Sequence, residues 1–113
     1  MAEFQNIVGL RLARGQLTAS YATLYTCPAD KRAYIKDINL CNTHSGNHHA
    51  YVSIVPSGQT AGVAFDILSN FQIDAYDTYR WTGTQIMNAG DTIQVKADIA
   101  NYITAYISGA EAV

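Results

Sequence analysis

Hydrophobic and polar residues alternate with a period of two over much of this chain, which is the pattern of half-buried β-strands rather than of helices. The alternation is clearest near the C-terminus. Thr92 to Ala97 places Ile93, Val95 and Ala97 on one face and Gln94 and Lys96 on the other. Tyr102 to Ser108 repeats it, with Ile103, Ala105 and Ile107 opposed to Tyr102, Thr104, Tyr106 and Ser108. Asp98 to Asn101 lies between as a turn, so the two segments predict a hairpin with its apolar rows inward and Tyr102 and Tyr106 outward. Just upstream, Asn88-Ala89-Gly90-Asp91 predicts another turn: Gly supplies a positive φ, and Asn and Asp bond to nearby backbone.

A second organising stretch runs from Leu24 to Ser57 and predicts three strands. Leu24 to Cys27 is a short β-prone run, broken by Pro28-Ala29-Asp30-Lys31 because proline cannot donate to a sheet ladder. Arg32 to Asn42 is a long extended segment. Ile38 and Leu40 share one face of it, with Lys36 and Asn42 at the ends of that row. Ile35 fits neither face, which a β-bulge would explain. Thr43 to His48 is a polar loop and Ala50 to Val55 the returning strand. Beyond Pro56-Ser57-Gly58 the signal weakens. Ala64 to Leu68 reads equally as a helical turn or a strand, and Asp74 to Asp77 as a turn. Thr78 to Thr82 is strongly β-prone. Gly83 then interrupts before the short apolar piece Gln85-Ile86-Met87.

Residues 1–14 differ from the rest. Phe4, Ile7 and Val8 have helical spacing, whereas Leu10 and Leu12 alternate like a strand. The segment reads as an arm that orders by docking, in cis or in trans, or else as a first strand with a frayed start. Residues 15–113 then form one domain, an antiparallel β-sandwich or jelly roll.

Composition narrows the function. Charged residues make up only 14% of the chain and tyrosines number eight, which suits either a surface that packs against other protein or a domain using Tyr for strand propensity. A net charge of −2 with scattered Lys and Arg argues against nucleic-acid binding. No run is long enough to span a membrane, and no basic n-region opens a signal peptide. Cys27 and Cys41 form no C-x-x-C pair. They read as two free thiols behaving as small hydrophobes, with a disulfide between neighbouring strands as the alternative.

No catalytic constellation stands out. There is no G-x-S-x-G elbow, Gly58 to Gly62 lacks the lysine of a phosphate loop, and Asp74 and Asp77 read as turn formers. His44, His48 and His49 suggest a metal site, with Asp30 or Asp37 as further ligands. Adjacent residues on a strand point to opposite faces, however, so at most two of the three histidines converge, and a solvated polar loop is preferred. Such a loop at a symmetry contact would make that contact pH-sensitive. Tyr76, Tyr79 and Trp81 form the densest aromatic patch, either core packing or a platform for a sugar ring. No cofactor is expected.

The blocks LYTCPADKRAYIKDINLCNTHSG, YVSIVPSGQTAG, YRWTG and MNAGDTIQVKAD resemble, in content and order, small β-sandwich structural proteins of tailed-bacteriophage virions. The resemblance spans roughly Thr18 to Gly109 and leaves out the His-rich loop and the arm. It implies a non-enzymatic capsid cement or decoration protein on the virion surface, made in the host bacterial cytoplasm. Its expected partners are itself, as a homotrimer, and the major capsid protein, with neither nucleic acid nor membrane. Phe4, Ile7, Leu10, Leu12, Tyr102 and Tyr106 are the expected interface residues. The alternative is a tail or fibre module that binds host-surface glycan through Tyr76, Tyr79 and Trp81.

Overall fold

The computed structural model describes residues 9–112. It is all-β, with eight strands: β1 (Gly9–Gln16), β2 (Ala22–Thr26), β3 (Arg32–Asn42), β4 (His48–Val55), β5 (Asp66–Ile73), β6 (Thr78–Met87), β7 (Thr92–Ala97) and β8 (Ile103–Ala112). They form two four-stranded antiparallel sheets, ordered β1-β8-β3-β6 and β2-β7-β4-β5.

The order has a simple origin. β1 pairs with β8, β2 with β7, β3 with β6 and β4 with β5. The chain is thus one long hairpin, with β4 and β5 at its tip, rolled up so that successive strand pairs fall alternately in the two sheets. The β3–β8 and β4–β7 pairings close the roll. This is jelly-roll topology, and only the β4–β5 connection joins sequence neighbours within one sheet.

The expected C-terminal hairpin is therefore corrected. β7 and β8 both turn their apolar rows inward, and Ile93, Val95, Ile103, Ala105 and Ile107 are all buried. They do so from opposite sheets. Alternation specifies which side of a strand meets the core, and a strand facing its neighbour across a sandwich shows the same pattern as one paired beside it. Ile35, Ile38 and Leu40 of β3, Val52 of β4, Leu17 and Met87 complete the interior.

Ile35 and Ile38 are both fully buried although three positions apart. The ladder shifts between Ile35 and Asp37 against both β6 and β8, so Lys36 is the extra residue of the expected bulge. Gly83 and Thr84 continue β6 as one strand and absorb a matching slip. After Gly62 a single 3-10 turn, Val63–Phe65, leads into β5, so the segment from Ala64 to Leu68 is part turn and part strand.

β1 runs through the expected boundary between residues 14 and 15 without a break, paired to β8 from Gly9↔Ala110 to Gln16↔Thr104. Residues 9–14 are an edge strand of the sandwich. Phe4 and Ile7 lie outside the described residues.

Candidate functional site

Three of the four connections at one pole of the roll carry the polar groups considered next: 43–47 between β3 and β4, 74–77 between β5 and β6, and 98–102 between β7 and β8, the last bonded also to the 17–21 connection between β1 and β2. Asn42, the last residue of β3, ties two of them together. It is fully buried, and its amide donates to the carbonyls of Gly46 at 2.8 Å, Ile73 at 3.0 Å and Asp74 at 3.2 Å. Its Oδ1 accepts the His44 N–H at 2.9 Å. A polar group that deep is tolerated only when so completely paired. The 74–77 turn is further held by Asn47 Oδ1, which accepts the Ala75 N–H at 3.0 Å. Tyr76 N–H donates to the His44 carbonyl at 3.2 Å. Tyr76 has φ 57°, a left-handed conformation costly for a bulky residue, and the residue is 72% exposed.

The rolled topology brings the 98–102 connection against this frame. Thr43 N–H donates to the Tyr102 carbonyl at 2.8 Å and Asp98 N–H to the His49 carbonyl at 3.0 Å. The histidines gather here although a solvated loop was expected: His48 meets His44, and both His48 and His49 reach Asp98. His48 is 6% exposed; its Nδ1 lies 3.1 and 3.2 Å from the Asp98 carboxylate oxygens and its Nε2 3.0 Å from His44 Nδ1. His49 leaves from the other face of β4 and still reaches Asp98 Oδ2, at 3.6 Å. Tyr102 stacks on His44, with centroids 3.9 Å apart and planes within 17°. Burial opposes charge on Asp98, but hydrogen bonds from the His48 ring and from the His49 and Ile99 backbone outweigh it and hold the carboxyl below its ordinary value.

Chemically, a His–Asp pair is the orienting half of a catalytic triad. Here the far nitrogen, where a nucleophile would sit, is occupied by His44. Among the described residues no group of three or more His, Cys, Asp or Glu side chains is placed to hold a metal ion. Asp37 instead pairs with Arg80, 2.7 Å from its Nε.

The expected interface residues scatter. Tyr102 is half-buried and spends a ring face on His44. Tyr106 is 39% exposed and lies mid-sheet on the outer face, opposite Arg14 on one side and Asn39 on the other. The Arg14 guanidinium stands 5.8 Å from its ring centroid. Leu12 packs against the core at a bulge between Arg11 and Ala13, and Leu10 pairs with Gly109. Tyr76, Tyr79 and Trp81 do not share an exposed face. Tyr79 and Trp81 are partly buried against the core, and the Tyr79 ring lies 4.2 Å from that of Phe71. Asn42 and Asp98 were not singled out from sequence. A polar residue ending the Ile38–Leu40 row was a signal for the first; the second is fifty positions from His48 and had none.

The comparisons with known proteins bear on the fold. No protein-family model and no curated protein matches the chain in sequence. Among solved structures, it is similar to a chain of the acidic stable capsid structure of Helicobacter pylori bacteriophage KHP30. The TM-score is 0.52 at 10% identity, over 95% of this chain and 93% of that one. It is also similar to the Tobacco streak virus coat protein, with TM-score 0.47 at 10% identity over 96% and 88%. For infectious bursal disease virus, Gx strain, the values are 0.45 at 11%, over 93% of this chain and 32% of the other. At such identities the first likeness shows a shared fold, and the other two carry no argument.

Proposed function

We propose that this chain is a non-enzymatic structural protein of a phage virion, a cement or decoration protein that clamps neighbouring major capsid subunits from the capsid surface as a homotrimer. The observation that carries the reading is the strand order β1-β8-β3-β6 over β2-β7-β4-β5, a jelly roll of the kind viral capsid domains use. A fold does not specify a function, so the surface must support it too. The outer face of the β1-β8-β3-β6 sheet is suited to contact: Tyr106 stands at its centre and Asp37 is neutralised by Arg80. A clamp needs area and complementarity rather than chemistry. By binding only the assembled shell it stabilises that shell by mass action.

Residues 1–8, with Phe4 and Ile7, are the proposed docking arm. Lectin domains also use jelly rolls; the partial burial of Tyr79 and Trp81 against the core favours packing over a sugar platform. The test is co-sedimentation with phage shells that lack the protein, together with its mass in solution. Saturable binding by a trimer at a fixed ratio to the major capsid protein is expected. A stable folded monomer that does not bind would sink the proposal.

A further inference from the structure

We propose that the pole built from the 17–21, 43–47, 74–77 and 98–102 connections is the surface that seats on the shell, with the Tyr76 ring as its anchor, and that the shell surface it meets is basic. The inference rests on the virion reading and adds to it which end of the molecule docks and what chemistry receives it. The outer face of the β1-β8-β3-β6 sheet is then left for contact between copies of the chain.

Tyr76 carries the argument. Among the described residues the positive φ values fall on Gly58, Gly90, Asn70, Asn101 and Tyr76. Glycine adopts that conformation freely and asparagine tolerates it, so Tyr76 is the one bulky side chain held there. Such a residue persists only where its surroundings over-determine the backbone, and here they do. Ala75 N–H donates to Asn47 Oδ1 at 3.0 Å, Tyr76 N–H to the His44 carbonyl at 3.2 Å and Asp77 N–H to the Asp74 carbonyl at 3.0 Å. The buried Asn42 amide takes the Asp74 carbonyl as well. All four bonds fix main chain, and none uses the Tyr76 side chain. Its hydroxyl bonds to no described residue, and the aromatic contacts of this pole join His44, His48 and Tyr102 instead. An asparagine or glycine would make the same turn without the strain. The fold gains nothing from a tyrosine at this position, whereas a protein contact does. Tyrosine is among the residues that dominate interface energies, and a ring presented on a fixed turn loses little freedom on binding.

The surroundings say what it meets. Ile99, half-exposed, stands on the neighbouring 98–102 connection as a second apolar contact. The four connections hold Asp74, Asp77 and Asp98 and neither Lys nor Arg. Asp74 takes the Gln72 amide, Asp77 the N–H of Thr78, and Asp98 the His48 ring and the N–H of Ile99. No Lys or Arg among the described residues offsets any of the three; the pairs such residues make are with Asp37 and Glu111. An apolar anchor inside an acidic rim is complementary to a pocket edged by Lys or Arg.

The experiment is co-sedimentation of the full chain with shells that lack it, titrated to give an affinity, beside urea unfolding of the same variants. Tyr76→Gly removes both ring and strain. It is expected to weaken shell binding by about tenfold or more while its urea midpoint equals or exceeds that of the parent. Tyr76→Ala removes the ring and keeps the strain, so it should bind as poorly and unfold earlier than Tyr76→Gly. Parent affinity should fall as salt rises from about 0.05 to 0.5 M, because screening weakens the contact between acidic rim and basic pocket. Parent-like binding by Tyr76→Gly would overturn the proposal and leave the cement reading standing. A Tyr76→Gly midpoint well below the parent's would overturn it too, since the ring would then belong to the fold. An affinity indifferent to salt would overturn the basic partner. A parent that binds no shell would overturn this inference together with the virion reading.

Discussion

Gly109 of β8 passes so close to Tyr34 of β3 that a Cβ on it would lie 1.9 Å from the Tyr34 carbonyl oxygen. The crowding has a local cause. β8 pairs Gly109 with Ile35 and Ser108 with Asp37, so Lys36 bulges at that step and drives the β3 backbone toward β8. Gly109→Ala must push two central strands apart. Overpacking a tight site costs about 1–3 kcal/mol, and a clash with backbone belongs at the upper end of that range. Urea unfolding is expected to show the loss as a lower midpoint. Full stability in the variant would contradict the bulge geometry.

Asn42 supplies the second prediction, because its amide is donor to three carbonyls and its oxygen acceptor to one N–H. Asn42→Ala leaves those buried groups unpaired, at about 1–3 kcal/mol for each one that water cannot reach. Asn42→Asp keeps the shape but turns oxygen toward three carbonyl oxygens, so it is expected to destabilise at least as much at neutral pH and to recover in acid as the carboxyl is protonated. Hydrogen exchange should show the 43–47 and 74–77 amides losing protection together. A difference between the two variants that does not change with pH would contradict the donor count.

Tyrosine ionisation gives a third. Burial, followed by the hydrogen bond each donates to a carboxylate, raises the pKa of Tyr21 on Asp66 and more strongly that of Tyr25 on Glu111. For a group whose neutral form is favoured by folding, the stability is fully present below the unfolded pKa of about 10 and is lost as pH rises from there toward the folded value. Stability is therefore expected to fall above about pH 10. Tyr25→Phe should be less stable at neutral pH and fall less steeply in base. The Glu111 bond also ties the end of β8 to β2, with Lys31 3.5 Å from the same carboxylate. Equal slopes in parent and variant would remove Tyr25 from this role.

Cysteine reactivity gives a fourth. Burial pushes the Cys27 thiol up, and the residue is 1% exposed, whereas Cys41 is half-buried on the outer row of β3. Thiolate is the reactive species. A thiol reagent is expected to modify Cys41 first and Cys27 only at the rate of unfolding. Rapid double labelling of the native protein would show the core to be open at the end of β2.

The facing of β3, β7 and β8 was legible because burial on one side leaves a two-residue trace. The Ile35 misfit pointed to the bulge for the same reason: one extra residue flips the parity. Partner choice left no such trace. β7 and β8 look like a hairpin from their alternation and a short turn, and only the closing of the whole roll puts them in different sheets. The histidine cluster was half legible. Adjacency of His48 and His49 predicted that the two part to opposite faces of β4, yet both reach the Asp98 carboxylate, and Asp98 and Tyr102 arrive through long-range pairing. Within residues 1–14 the described part follows the alternative reading, a first strand, because β8 offers it an edge from Gly9 onward.

Trp81 decides between the two uses of the aromatic patch. Its side chain packs against the core from edge strand β6, and a Cβ added at Gly83 would come within 3.1 Å of its ring, so the indole lies along its own strand. Large aromatic side chains removed from a full core cost about 3–5 kcal/mol; a partly buried one on an edge strand should cost about half of that. Trp81→Ala is expected to lower the urea midpoint accordingly, and Tyr79→Ala to do the same through its contact with Phe71. Neither should affect shell binding beyond its effect on folding, and a glycan array should give no signal for Trp81→Ala to abolish. If instead Trp81→Ala left stability intact and removed binding to a surface glycan, the ring would be a recognition element, and the tail or fibre reading would replace the cement one.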